Sequence, residues 1–196
     1  CVSSPLGKQM LSMPMVVLDG WRSDCAWSSD ADSIEPGTFG TSKLPQLSRT
    51  DYVTNSNDSS WTNNPHHLLE GYPRVMGPER TMRTLRTRMG LEKIEGRLTG
   101  KDGRPGKRFT LADLEAITMN NRVLSGELWR DSLVTVCRGL PAADDAAAAC
   151  DALAGWDLTE NIDSRGAVLW RRFFEMIEGR NGSLSEDVAP DLFTVP

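Results

Sequence analysis

Histidine is almost missing from this sequence: His66 and His67 are the only two in 196 residues. Neighbouring imidazoles point in different directions on any regular element, so the pair does not form a metal-binding face. The four cysteines stand at positions 1, 25, 137 and 150, with no Cys-x-x-Cys and no Cys/His cluster, which excludes the usual zinc arrangements. No stretch approaches the roughly 20 apolar residues of a membrane helix, and no basic, apolar, small-residue leader opens the chain. An excess of positive charge is lacking too. The 22 Lys and Arg face 27 Asp and Glu, a net charge of -5, so the general footprint of a nucleic-acid binder is absent outside the local run from Arg80 to Arg88. Neither a membrane nor a nucleic acid is expected as a partner.

What is present suits a globular chain. A hydrophobic content of 39% over this length is enough for one sizeable core or a share of a larger one. The cysteines fall into an early pair and a late pair, so two local disulfides, Cys1 to Cys25 and Cys137 to Cys150, are expected in an oxidising compartment. Four buried free thiols are the alternative. The turn KDGRPGKRF at 101–109 divides the chain into a loop-rich region with core strands, 1–100, and a helical region, 101–196. In the first, MVVL at 15–18 suits a buried strand, 21–48 reads as long ordered loop, and RTDYVTNS at 49–56 alternates like a second strand, with Tyr52 and Thr54 on one face and Val53 on the other.

In the second region Thr110 and Asp113 cap a helix whose Leu111, Leu114 and Ile117 share a face. NRVLSGELWRDSLVTVC at 121–137 is a second helix, and DDAAAACDALAGW is a third that ends near Gly155. GAVLWRRFFEMIEGR is a fourth, with Ser164 as its expected cap and Leu169, Phe173, Met176 and Ile177 on one side. These apolar stripes read as core and carry no chemistry by themselves.

NSNDSSWTNNP at 55–65 holds four asparagines where the second strand would end. Polar side chains that follow a rigid element are well placed for catalysis, and equally for an Asx turn or a loop cap. This block, with LDGWRSDCAW at 18–27, the run at 36–88 that ends in GPERTMRTLRTR, and WDLTENIDSRGAVLWRRF at 156–173, resembles the large chain of penicillin-acylase-type N-terminal-nucleophile hydrolases. The likeness is to the branch that holds acyl-homoserine-lactone and aculeacin acylases.

The resemblance implies an α+β chain, part of a four-layer αββα fold, and an amide hydrolase acting on a small-molecule acyl amide such as an acyl-homoserine lactone, a penicillin or a lipopeptide. In that family the hydroxyl of an N-terminal serine attacks the amide, its own α-amine acts as base, and a neutral amide donor stabilises the oxyanion. The resemblance puts that donor on Asn57, with Asn55 as second choice. Arg80 is implied near the site, where its fork of donors would orient a polar group or hold the asparagine loop; a solvated basic face with Arg83, Arg86 and Arg88 is the other reading. Trp61 and Tyr72 are implied as lining of the acyl pocket or as packing beneath the loop.

No cofactor is expected. Some relatives hold a structural calcium through a carboxylate shortly after the asparagine motif, but that place falls here on Leu68 and Leu69, with Glu70 adjacent. Cys1 does not match the family's opening serine. The resemblance therefore implies an internal segment of the large subunit, inactive alone, whose partners are the rest of that chain and the small subunit, in a periplasmic or secreted enzyme. A non-catalytic scaffold of the same shape and an amidase using the Cys1 thiol are the alternatives.

Overall fold

The computed structural model describes residues 21–139 and 144–181; Cys1 and the run at 15–18 lie outside the described residues. From 21 to 84 the chain is loop, interrupted by single 3-10 turns at Ser23–Cys25, Thr41–Lys43, Ser60–Thr62 and Arg74–Met76. Backbone N–H groups need partners, and short polar side chains supply them locally. Ser29 Oγ accepts from the Gly37 N–H at 2.8 Å, Asp30 Oδ2 from Gly40 at 2.9 Å, and Asp32 Oδ2 from Ser42 at 2.8 Å.

The expected strand over 49–56 does not form. Among the described residues there is no strand, only one antiparallel bridge between Arg122 and Thr159. Val53 is 54% exposed, and the stretch spends its hydrogen bonds within its own loop. The Thr54 N–H donates to the Asn63 carbonyl at 2.8 Å, and the buried Asn64 Nδ2 donates to the Tyr52 carbonyl at 3.0 Å. Alternation without a partner ladder or a buried face does not make a strand.

Among the described residues five helices follow: α1 (Leu85–Thr99), α2 (Leu111–Met119), α3 (Leu124–Arg138), α4 (Asp144–Ala154) and α5 (Ala167–Asn181). Helix α1 is absent from the sequence expectation, although its ends are marked. The Thr84 hydroxyl accepts from the Thr87 N–H, and Gly100 closes the helix with φ +79°. The α2 capping box of Thr110 and Asp113 forms as expected. Its apolar side does not become core, for Leu111 is 72% exposed while Asp113 is buried. Asp113 faces inward because it also meets the arginines behind it: Arg104 Nη1 at 2.8 Å and Arg97 Nη1 at 3.6 Å. Arg97 is fully buried, lies 3.0 Å from Asp102, and donates to the carbonyls of Arg104, Pro105 and Gly106. It holds the 101–109 turn against α1.

The core lies among α3, α4 and α5. Val134, Leu153, Trp156, Ala167 and Trp170 are buried there, with Trp129, Phe173 and Phe174 packed around them. The Trp156 and Trp170 rings are 5.6 Å apart, and Trp129 stacks on Phe174 at 5.7 Å. Both buried indole N–H groups are satisfied, Trp170 by Ser125 Oγ at 2.9 Å and Trp156 by the Thr159 carbonyl at 2.8 Å. The inward stripe of α5 is thus built on Ala167 and Trp170. Of the expected stripe, Leu169 and Phe173 do pack against this core, while Met176 is 59% exposed. Ser164 does not cap α5 with its side chain; its hydroxyl accepts from the Asn161 N–H at 3.1 Å and pairs with Thr159. A disulfide between Cys137 and Cys150, Cα atoms 5.9 Å apart, clamps α3 to α4 as expected. Cys25 is disulfide-bonded as well. No helix among the described residues is long and apolar enough to cross a membrane.

Candidate functional site

The asparagine motif folds into a tight turn against the start of α1. Asn55 Oδ1 accepts from the Asn57 backbone N–H at 2.8 Å, an Asx turn, and Asn57 takes a left-handed conformation with φ +56° that asparagine tolerates better than most residues. Both asparagines are exposed. Arg86, in the first turn of α1, donates to the Ser56 carbonyl and approaches Asn57 Oδ1 at 3.4 Å. Both amide oxygens therefore face donors. Each Nδ2 group, which has two protons to give, is left on the other side of its amide.

Behind the turn stands Asp58. Its Oδ1 accepts from the Ser59 N–H at 2.8 Å and from Arg83 Nη1 at 2.9 Å, and its Oδ2 accepts from the Thr87 hydroxyl at 3.1 Å. Arg83 is 2% exposed, lies 5.0 Å over the Trp61 ring, and gives its Nε–H to the Thr81 carbonyl at 2.9 Å. Burial pulls its guanidinium below the usual arginine range, and the Asp58 charge opposes that. Removing one partner of such a buried pair typically costs about 3–5 kcal/mol.

Trp61 is the buried floor of the loop, with its indole N–H donating to Glu70 Oε1 at 2.9 Å. Arg80, also in a left-handed conformation, grips Glu70 through two bonds of 3.1 and 2.8 Å. These Arg80 bonds, helped by the Trp61 indole, hold the Glu70 carboxyl at about 2, against its ordinary 4.5. Arg80 is thus tied to the loop at 70, with its side chain 77% exposed, and makes no bond to residues 55–57. The arginines on the turn itself are Arg83 and Arg86. Tyr72 is half-buried, and its backbone N–H donates to Glu79 at 2.9 Å.

The turn is also pinned from its other side. The Tyr52 hydroxyl donates to Glu95 on α1, and His66 Nε2 lies 2.8 Å from the same carboxylate oxygen. His67 pairs with Arg49 at 2.8 Å, so the two histidines serve different elements. No cluster of metal-ligating side chains occurs among the described residues.

The structure sets Asn55 and Asn57 in one turn with Trp61 buried beneath the loop, and adds Asp58; Arg83, expected on a solvated basic face with Arg86 and Arg88, is instead buried against Asp58. Asp58 and Arg83 are 25 positions apart, and nothing in the sequence links them except a helix start at Thr84 that orients both. Among the described residues, cavities lie elsewhere. One of about 280 Å³ sits over Trp156 and Trp170, and one of about 670 Å³ lies between α1 and α2 beside Lys93 and Asp102. Neither is lined by residues 55–61.

A sequence profile of the family described as Penicillin amidase matches residues 5–183. Aculeacin-A acylase of Actinoplanes utahensis is 48% identical over 180 residues, covering 88% of this chain and 23% of the relative. An acyl-homoserine lactone acylase of Pseudomonas putida is 32% identical over 164 residues, covering 83% of this chain and 20% of the relative. A second such acylase, from Pseudomonas syringae, is 34% identical over 153 residues, covering 76% and 19%. The chain therefore spans about a fifth to a quarter of the length of these relatives.

Proposed function

The chain belongs to the penicillin amidase family, and from that premise we propose that the protein carrying it is an amide hydrolase that removes an acyl chain from a small polar amine. The compounds in its relatives' names, acyl-homoserine lactones and aculeacin A, fit this reading, as do lipopeptides and penicillins. The whole protein has the four-layer αββα fold, to which residues 1–100 contribute the asparagine loop and residues 101–196 a helical periphery. The nucleophilic serine and the rest of the site come from the remainder of the large chain and the small subunit. The disulfide between Cys137 and Cys150 supports a periplasmic or secreted location, since such bonds persist in oxidising compartments.

In this reading the serine hydroxyl attacks the amide carbon and its proton passes to the α-amine. The carbonyl oxygen becomes an oxyanion, the C–N bond breaks, and the amine leaves with that proton. Water then releases the acyl group from the ester. Residues 55–57 supply a donor to the oxyanion. The observation that carries this is the turn itself, which engages two side-chain amides by their oxygens and, among the described residues, leaves their N–H groups unspent.

A donor must be held still before the charge develops. Asn55 is held by a 2.8 Å bond to a backbone N–H, whereas Asn57 is held by a 3.4 Å contact to an exposed arginine. We therefore put Asn55 first and Asn57 second, reversing the order that the family motif implies. In the full-length, correctly processed enzyme Asn55→Ala should lower kcat by roughly a hundredfold or more and leave KM nearly unchanged. Asn55→Asp should be at least as damaging, because a carboxylate is an acceptor that sets negative charge beside the oxyanion. If Asn57→Ala is the crippled variant instead, the assignment is wrong by two residues. If both variants keep normal kcat, the turn is only a well-capped loop.

A further inference from the structure

Asp58 takes no part in the chemistry just proposed, yet it is the best-connected group beside the turn. It follows Asn57 directly, and its two carboxylate oxygens bind three donors from three places: the Ser59 backbone, the Arg83 guanidinium and the Thr87 hydroxyl. The last two are buried and belong to the start of α1. Arg83 is itself immobilised by the Trp61 face and the Thr81 carbonyl. Thr87 also donates its N–H to the Thr84 hydroxyl that caps α1. Among the described residues, the outer side of the turn is met by Arg86, an exposed side chain.

We infer that Asp58 is a positioning residue, a tether that transmits the rigid start of α1 to the asparagine turn and thereby fixes where the Asn55 amide points. This rests on reading residues 55–57 as the oxyanion-side loop. The mechanics follow from the backbone. Asn57, in its left-handed conformation, is bonded through its N–H to Asn55 Oδ1 and joined through the next peptide to Asp58, so a shift of the peptide plane between 57 and 58 is passed to the Asn55 side chain. That plane is fixed as long as the carboxylate keeps its three donors. A neutral amide at 58 is isosteric but offers a single acceptor oxygen and no charge to the buried guanidinium. The turn then swings about a weaker pivot, and displacement of a catalytic donor by about 1 Å is enough to cost orders of magnitude in rate.

The test uses the full-length processed enzyme and two variants, Asp58→Asn and the milder Thr87→Val, which deletes one donor and leaves the buried ion pair. Amide hydrogen exchange at Asn57, whose N–H reports the Asx turn, should accelerate roughly tenfold or more in Asp58→Asn relative to the interior of α1, and less in Thr87→Val. Per active site, kcat should fall roughly ten- to a hundredfold in Asp58→Asn with KM within about twofold. In an Asn55→Ala background the same change should have little further effect on kcat, because it acts through that side chain.

Unchanged exchange at Asn57 in both variants overturns the tether, whatever the activities are. So does a kcat loss that multiplies with that of Asn55→Ala, since a residue acting through Asn55 cannot be independent of it. Should Asp58→Asn fail to mature, Thr87→Val decides alone, with normal exchange and normal kcat counting against the proposal. An Asn55→Ala enzyme of normal kcat would instead refute the oxyanion assignment, while the exchange comparison still decides whether Asp58 holds the turn.

Discussion

Adding one methyl group at Gly126 should destabilise the helical half of the chain, even though the same exchange in an open helix is stabilising. A Cβ built there falls 2.6 Å from Trp156 Cζ3, 2.7 Å from Cη2 and 3.3 Å from Leu158 Cδ2, where carbon atoms want about 3.5–4.0 Å. The Trp156 ring gives way only at a cost: its N–H is spent on the Thr159 carbonyl, and its neighbour Trp170 is 5.6 Å away. Overpacking of this kind costs typically about 1–3 kcal/mol. Replacing a helical glycine by alanine returns up to about 1 kcal/mol, less in a first turn. The net loss should be about 1–2 kcal/mol, a fall of roughly 2–8 °C in Tm for a chain of this size. Urea unfolding followed by tryptophan fluorescence measures it, with Gly90→Ala as control. A Cβ at Gly90 in α1 meets only Ser56 Oγ at 3.9 Å, so that variant should gain stability. If Gly126→Ala is as stable as the parent while Gly90→Ala behaves normally, the tight packing of α3 on Trp156 is wrong.

Two further outcomes follow from the same geometry. Replacing Cys137 and Cys150 by alanine opens a bridge with a sequence separation of 13 and should cost about 3 kcal/mol; mass mapping of non-reduced peptides should recover the 137 to 150 link, and four alkylatable thiols in the oxidatively isolated protein would refute it. Glu70 has its folded-state carboxyl at about 2, below its ordinary 4.5, so its contribution to stability is complete above about pH 4.5 and is lost as pH falls toward 2. Trp61 fluorescence should therefore change in that window, and Glu70→Gln should remove the transition; an identical acid titration in the variant sinks the assignment.

The helical half was legible because its signals are local. Thr110 with Asp113, the alanines before Gly155 and the apolar spacing around Leu124 each fix an element within a few residues. What was not legible depends on long-range partners. The stretch at 49–56 has the alternation of a strand, yet its Tyr52 hydroxyl goes to Glu95 on α1, 43 positions away, and its carbonyl to Asn64. The stripe on α5 was legible in part: Leu169 and Phe173 pack on the core, but Trp170, which reaches Trp156 and Ser125, is more buried than either and shows its role only through those long-range partners. Helix α1 was passed over for a different reason. Its inward side carries Thr87 and Arg97 as well as Leu91, and such a side has no apolar period to read.

The polar inward side of α1 also explains why the asparagine turn sits where it does. Hydrophobic burial is non-directional, so it can hold a loop down but cannot fix the angle of an amide. Directed bonds can. Around α1 the chain repeats one device, a carboxylate gripping an arginine that is anchored by backbone carbonyls: Asp58 on Arg83, and Asp102 with Asp113 on Arg97. Such pairs add little net stability over well-packed hydrocarbon of the same volume. Their effect is geometric, since each fixes a backbone segment in orientation as well as in distance. The pair at Arg97 shapes an exposed turn, whereas the pair at Arg83 shapes the segment that bears Asn55 and Asn57. A catalytic donor needs that kind of support, because its contribution depends on being aimed before the charge appears. An apolar replacement of Asp58 and Arg83 could therefore leave the fold intact and still misdirect the turn.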